Sequence, residues 1–319
     1  MPPIGLLTIA ALLPQQWSFK IVDCMIREPN HTDWEGCDAV FISGMNIQEK
    51  GIIKAIQEGK KRKKLVVVGG PWVFHCPDVA FSEGADIIVK GEAENIIPEL
   101  VDNINKGASG ILIRGDKVAD LQTTPPPRYD LVDLNQYLDI GIQFTRGCPF
   151  KCDFCDIILM FGRKPRTKTA DQIKNELQNI LESGWKNIVC FVDDNFIGNP
   201  SKARKLLPEI IKWQEKNGFP FRFYTQVSLN VAKNKQILNL MARAGFIRVY
   251  VGIESIDSES NKSVNKNQNI DLDIAQACSD IAKVGIEVSA FFIIGFDNEK
   301  PDVAHRLVEF VNRNNIPTS

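Results

Sequence analysis

The chain has 319 residues, 44% of them apolar and 24% charged, which is ordinary globular material and enough for two cores of typical domain size. A net charge of -1 gives no electrostatic basis for binding nucleic acid or an anionic membrane surface. No stretch reaches the ~20 apolar residues of a spanning helix, so no membrane span is expected.

Residues 1–16, MPPIGLLTIAALLPQQ, are apolar but lack a basic leader and a small-residue cleavage site. The expected location is therefore cytoplasmic. The first half then alternates β-rich and helical stretches, the pattern of a mostly parallel sheet covered by helices. Strands are predicted at 19–23 (FKIVD), 38–43 (DAVFIS), 64–70 (KLVVVGG) and 86–91 (DIIVKG), with helices near 47–60, 74–83 and 94–106. Three of these strands end in small residues, at Ser43-Gly44, Gly69-Gly70-Pro71 and Gly91-Glu92. Such sheets bind ligands at the carboxyl ends of their strands, where glycine lets the backbone approach closely; tight turns alone would also use these glycines.

Residues 121–138 carry three consecutive prolines without helical period and are expected to connect domain 1–120 to domain 139–319. The alternation resumes with strands at 141–147, 187–194, 221–226, 246–254 and 286–296, and helices at about 170–183, 200–217, 233–243, 271–284 and 300–314. Five βα units of this spacing predict a barrel or an open part-barrel.

Three of the eight cysteines, Cys148, Cys152 and Cys155, fall within RGCPFKCDFCD, just after the first strand of the second domain. Eight cysteines at this length do not make a disulfide scaffold, and in a reducing compartment a tight cysteine group points to metal or redox work. A structural zinc site closes with four ligands, and no histidine or fourth cysteine lies near in sequence. Three thiolates can hold a 4Fe-4S cluster with one iron left open to an outside ligand.

At these residues the sequence resembles the radical S-adenosylmethionine superfamily. The resemblance implies that Cys148, Cys152 and Cys155 hold a 4Fe-4S cluster whose open iron is chelated by S-adenosylmethionine, and that one electron releases a 5'-deoxyadenosyl radical. It implies further cofactor contacts at Phe154, near the adenine, and at Asp193, Asp194 and Asn195, where VDDNF stands in place of a Gly-Gly-Glu-like segment. Gln226 or Ser228 after the third strand, Glu254 after the fourth, and Gly295 in FFIIGF complete the implied S-adenosylmethionine site. The basic residues Arg163, Lys164, Arg166 and Lys168 read as a solvated loop.

A flavodoxin-like domain joined by a Pro-rich linker to such a barrel is similar to the cobalamin-binding group of this superfamily, within the branch that includes hopanoid C-2 methylases. The resemblance implies a cobalamin site at Ser43, Gly44, Gly69, Gly70 and Glu92. With His31, His75 and His305 alone and no Asp-x-His-x-x-Gly segment, histidine ligation of the cobalt is not expected. The implied activity is methyl transfer to an unactivated carbon of a lipid-like or tetrapyrrole-like small molecule. Cyclisation, rearrangement and a cofactor-binding remnant without full activity stay open beside it. Expected partners are an electron donor such as flavodoxin or ferredoxin and a second polypeptide completing the barrel. The flavodoxin-like sheet is expected to lack its first strand and the barrel its last, which would leave strand 19–23 to pair with 38–43 or expose edges.

Overall fold

The computed structural model describes residues 1–316. The chain divides into two compact units, Met1–Tyr137 and the residues from Leu138 onward. The fold class is α/β: a flavodoxin-type parallel sheet, four-stranded among the described residues, followed by a partial (β/α) barrel.

In the first unit, β1 (Ala39–Ser43), β2 (Leu65–Gly69), β3 (Ile87–Gly91) and β4 (Ile111–Gly115) form one parallel sheet in that spatial order. Their β-branched runs are buried on both faces. Val66 and Val68 pack with Ile42, Ile56 and Trp72, while Val67 points oppositely toward Ile87, Val89 and Ile113. Ser43 lies in register with Gly69, which sets the ends of β1 and β2 level.

Sequence and structure differ at three places here. FKIVD is not a strand: residues 19–23 run as irregular chain outside any sheet, because a strand needs a ladder neighbour and none pairs with them. A cavity of about 840 Å³ is lined by Phe19, Ile21 and Val22 of this segment and by Val40 and Phe41 of β1. The unpredicted ILIRG supplies β4, paired in parallel with β3. The helix expected over 74–83 breaks into Pro71–His75 and Pro77–Ser82. Pro77 has no N–H to continue the first of these helices.

The proline-rich segment counts with the first unit. Leu121, Tyr129 and Leu134 are buried there, and the Arg128 N–H donates to the Leu7 carbonyl at 3.2 Å.

The second unit holds β5 (Ile140–Ile142), a two-stranded antiparallel ribbon of β6 (Thr145–Arg146) and β7 (Arg166–Thr167), then β8 (Ile188–Phe191), β9 (Arg222–Val227), β10 (Phe246–Glu254) and β11 (Glu287–Phe292). The main sheet runs β11-β10-β9-β8-β5 with every pairing parallel, an open five-stranded part-barrel among the described residues. Alternation sorts its faces. Val189, Phe191, Phe223, Thr225, Val249 and Val251 are fully buried, with Phe191 at 5.3 and 5.4 Å from the rings of Phe223 and Phe246. The opposite face presents Tyr224, Tyr250 and Phe291, half-buried or exposed and in successive ring contact. The helices that follow start on sequence-encoded caps: Thr169 and Gln172 form a capping box for Ala170–Glu182, and the Asn199 side chain caps Pro200–Lys216.

Candidate metal centre

The three cysteines sit on the loop that leaves β6, past the end of the first strand of the part-barrel. Cys152 is buried, and Cys148 and Cys155 are half-buried. The loop turns at Gly147, whose φ of +93° suits glycine and whose missing Cβ would stand 3.0 Å from the Gly162 carbonyl. Burial pushes the Cys148 thiol up, against the lowering effect of the Phe150 N–H and the Asn195 side chain, which donate to its sulfur. Burial also raises Cys155; the Ile157 N–H opposes it, while Cys148 and Cys152 add to it.

Asp193 and Asp194 stand just beyond β8 and hold this loop by its backbone. Asp193 is 1% exposed, and its Oδ1 accepts the N–H of Phe144 at 2.8 Å and of Thr145 at 2.6 Å. Asp194 Oδ2 accepts the Gly147 N–H at 2.8 Å. Burial raises the Asp193 carboxyl well above the usual carboxylate range, although both backbone donors work against it. The carboxylates read in the sequence as partners of an ammonium group are thus engaged with the entry to the cysteine loop. Asn195 is beside them, donating through Nδ2 to Ser228 Oγ at 3.2 Å and accepting the Ser228 N–H at 3.3 Å. This brings Ser228, Asn195 and Cys148 together. Gln226 is exposed, and its carbonyl accepts the Phe196 N–H at 2.9 Å.

Glu254 ends β10 with φ +66°, in the left-handed region, and is buried. Its Oε1 accepts from Lys266 Nζ at 2.6 Å, and that ammonium also lies 5.7 Å from the ring centroid of Phe154. Gly295, at φ +110°, donates its N–H to Glu299 Oε2 at 2.8 Å. Lys266 and its neighbours went unread in the sequence, because the polar stretch NKSVNKNQN carries no spacing that ties it to a loop more than a hundred residues earlier.

Three of the four basic residues make contacts that the solvated reading does not include. Lys168 is buried and paired with the buried Glu176, whose carboxyl is pushed up by burial and drawn down by that ammonium. Arg166 donates to the Phe161 carbonyl at 3.0 Å and Arg163 to the Pro149 carbonyl at 3.1 Å, so both brace the cysteine loop.

In the first unit, Ser43, Gly44, Gly69 and Gly70 gather at the level ends of β1 and β2. Gly70 has φ +92°, and a Cβ there would fall 2.3 Å from Ser43 Oγ. Glu92 is buried, and its Oε2 accepts the Ala119 N–H at 2.5 Å, which ties down the chain beyond β4.

Residues 142–311 match the Radical SAM superfamily. The chain belongs to that superfamily. It is 42% identical over its whole length to an uncharacterized methyltransferase of Synechocystis sp., covering 60% of that protein. It is 37% identical over 99% of its length to the hopanoid C-2 methylase of Rhodopseudomonas palustris, again covering 60% of the relative. The chain thus spans about 60% of the length of these two relatives. The solved structure of the radical S-adenosylmethionine methyltransferase TsrM from Kitasatospora setae, with cobalamin and a [4Fe-4S] cluster bound, superposes with a TM-score of 0.81 at 17% identity, over 98% of this chain and 70% of that one. At that identity the likeness is one of fold.

Radical SAM membership implies a 4Fe-4S cluster and S-adenosylmethionine, and the loop fits the cluster. It offers three free thiols on one turn, backbone and side-chain N–H donors at their sulfurs, and a glycine where a Cβ would crowd the cradle. Among the described residues no three His, Cys, Asp or Glu side chains are drawn together as for one metal ion. A cluster presents its irons at separate corners, so its ligands need no such convergence.

Proposed function

We propose that this chain is the two-unit core of a cobalamin-dependent radical SAM enzyme that transfers a methyl group to an unactivated carbon of a lipid-like or tetrapyrrole-like small molecule. The observation that carries this reading is the braced loop of Cys148, Cys152 and Cys155 at the mouth of a radical SAM part-barrel, in a chain whose first unit is a flavodoxin-type sheet. The hopanoid C-2 methylase supports methyl transfer, and the cobalamin held by TsrM supports the second cofactor.

A bound cluster supplies the electron that opens the sulfonium of S-adenosylmethionine. The three thiols would hold its iron, ionising outright as they ligate, against the burial that raises Cys148 and Cys155 when free. Asp193 and Asp194 fix the loop's backbone and act by positioning. Asn195, Ser228, Gln226 and Gly295 are the proposed contacts to S-adenosylmethionine. Phe154 is proposed to lie near its adenine, under the ammonium of Lys266, while Glu254 orients that ammonium. Ser43, Gly44, Gly69 and Gly70 form the proposed cobalamin surface, with Glu92 acting indirectly through Ala119. Histidine ligation of cobalt is not part of the proposal.

An electron donor of the flavodoxin or ferredoxin type, a second polypeptide completing the part-barrel beyond the open edge of β11, and a cytoplasmic setting that suits eight free cysteines complete the proposal. Product analysis tests it. Anaerobic protein carrying both cofactors, given reductant, S-adenosylmethionine and a pool of polycyclic lipids or tetrapyrroles, is expected to release both S-adenosylhomocysteine and 5'-deoxyadenosine. Formation of 5'-deoxyadenosine without S-adenosylhomocysteine would contradict methyl transfer and favour cyclisation or rearrangement.

A further inference from the structure

Residues 264–268, which leave the helix Ser258–Ser263 and run into the short 3-10 turn Asn267–Asn269, form a strap across the cysteine loop. The Val264 carbonyl accepts the Asp153 N–H at 3.1 Å. Asn265 Nδ2 donates to both oxygens of the Asp153 carboxylate, at 3.0 and 2.9 Å. Lys266 lies over Phe154. Gln268 Nε2 donates to Cys152 Sγ at 3.5 Å, within the reach of a bond to sulfur.

The strap is itself anchored in β10. Asn269 Nδ2 donates to the carbonyls of Gly252 and Ile253 at 3.2 and 3.1 Å, and Asn261 Nδ2 donates to the Ser255 carbonyl at 2.7 Å. Gln268 is therefore delivered to Cys152 from a fixed element, and its own Oε1 is buried without a partner. A cysteine that ligates iron has no proton and can only accept, so the amide must turn its N–H toward the sulfur.

We propose that Gln268 sets the reduction potential of a cluster held by Cys148, Cys152 and Cys155, through its hydrogen bond to Cys152. This rests on the reading of these three residues as cluster ligands. Reduction adds negative charge to the cluster and its thiolates, and an N–H donor at a ligating sulfur stabilises the more negative state. The donor therefore raises the potential, and removing it lowers the potential. Gln268 does this without touching iron, as an outer residue that tunes a ligand.

The test is a redox titration followed by EPR on anaerobically reconstituted whole chain, comparing the unaltered protein with Gln268→Met and Gln268→Leu. Both variants place an apolar side chain of similar size at the site and lose the donor. The expected result is normal iron and sulfide content, a midpoint potential displaced to more negative values in both variants, and loss of one exchangeable-proton hyperfine coupling from the reduced cluster. A normal cluster with an unchanged potential would overturn the proposal. Failure of both variants to hold a cluster would overturn it too, since Gln268 would then be needed for assembly. If the unaltered protein bound no cluster, the reading of the cysteines would fail instead.

Discussion

The buried carboxylate of Asp193 accepts the backbone N–H of Thr145 at 2.6 Å, joining the end of β8 to the strand that opens the cysteine loop. The same oxygen takes the Phe144 N–H, and Asp194 takes that of Gly147. Side chains of adjacent residues thus fix three backbone N–H groups, at residues 144, 145 and 147, at the loop's entry.

Asp193→Ala removes an acceptor shared by two buried backbone donors and is expected to cost about 2–3 kcal/mol of stability. Asp193→Asn keeps a carbonyl oxygen at that place and is expected to cost under about 1 kcal/mol. Urea denaturation with circular dichroism measures both. Equal losses in the two variants would mean that the hydrogen bonds to Phe144 and Thr145 contribute little.

Lys266 and Glu254 form a buried pair, with side chains 10% and 8% exposed. Lys266→Met strands the carboxylate and is expected to destabilise the second unit by about 3 kcal/mol, whereas Lys266→Met with Glu254→Gln recovers part of that loss. A double-mutant cycle followed by thermal unfolding reads the coupling. Additive single effects would show that the pair acts only as two separate side chains.

Asp86 gives the first unit an acid-sensitive tie. Burial would raise its carboxyl, but Lys60 Nζ at 2.7 Å, the Val66 N–H at 2.9 Å and Ser109 Oγ at 2.7 Å together hold it below the usual value. A depressed folded pKa stabilises above the unfolded value of about 3.9 and loses that contribution as pH falls through the folded value. Asp86→Asn is expected to lower stability by about 1–3 kcal/mol at neutral pH and to flatten the decline below about pH 4. Stability measured across that range would refute this if the variant and the unaltered protein lost stability in parallel.

The parts of this protein that are written in contiguous residues were legible in the sequence. The run DAVFIS, the run KLVVVGG and the cysteine loop each carry their signal within a dozen residues, by β-branched content or by thiol spacing. FKIVD carried the same local signal and failed, because strand formation depends on a neighbour that the local sequence does not describe. ILIRG went unread for the converse reason: a short run interrupted by arginine and closed by glycine becomes a strand only because β3 offers it an edge. At the site, VDDNF was visible as a pair of acids, but which way the acids face is a tertiary matter, and they turn to the loop's backbone. Lys168 read as one member of a basic surface run, and only the fold brings the buried Glu176 against it. The strap lies more than a hundred residues from the loop it clasps, and its polar composition looks like that of any exposed turn.

The most direct test of the central claim is iron and acid-labile sulfide analysis with EPR on anaerobically reconstituted protein, for the unaltered chain and for Cys148→Ala, Cys152→Ala and Cys155→Ala. The expected result is one reducible 4Fe-4S cluster per unaltered chain and its loss or severe depletion in each variant. A cluster that survives each substitution with unchanged iron content and spectrum, or an unaltered protein that takes up no iron, would contradict it.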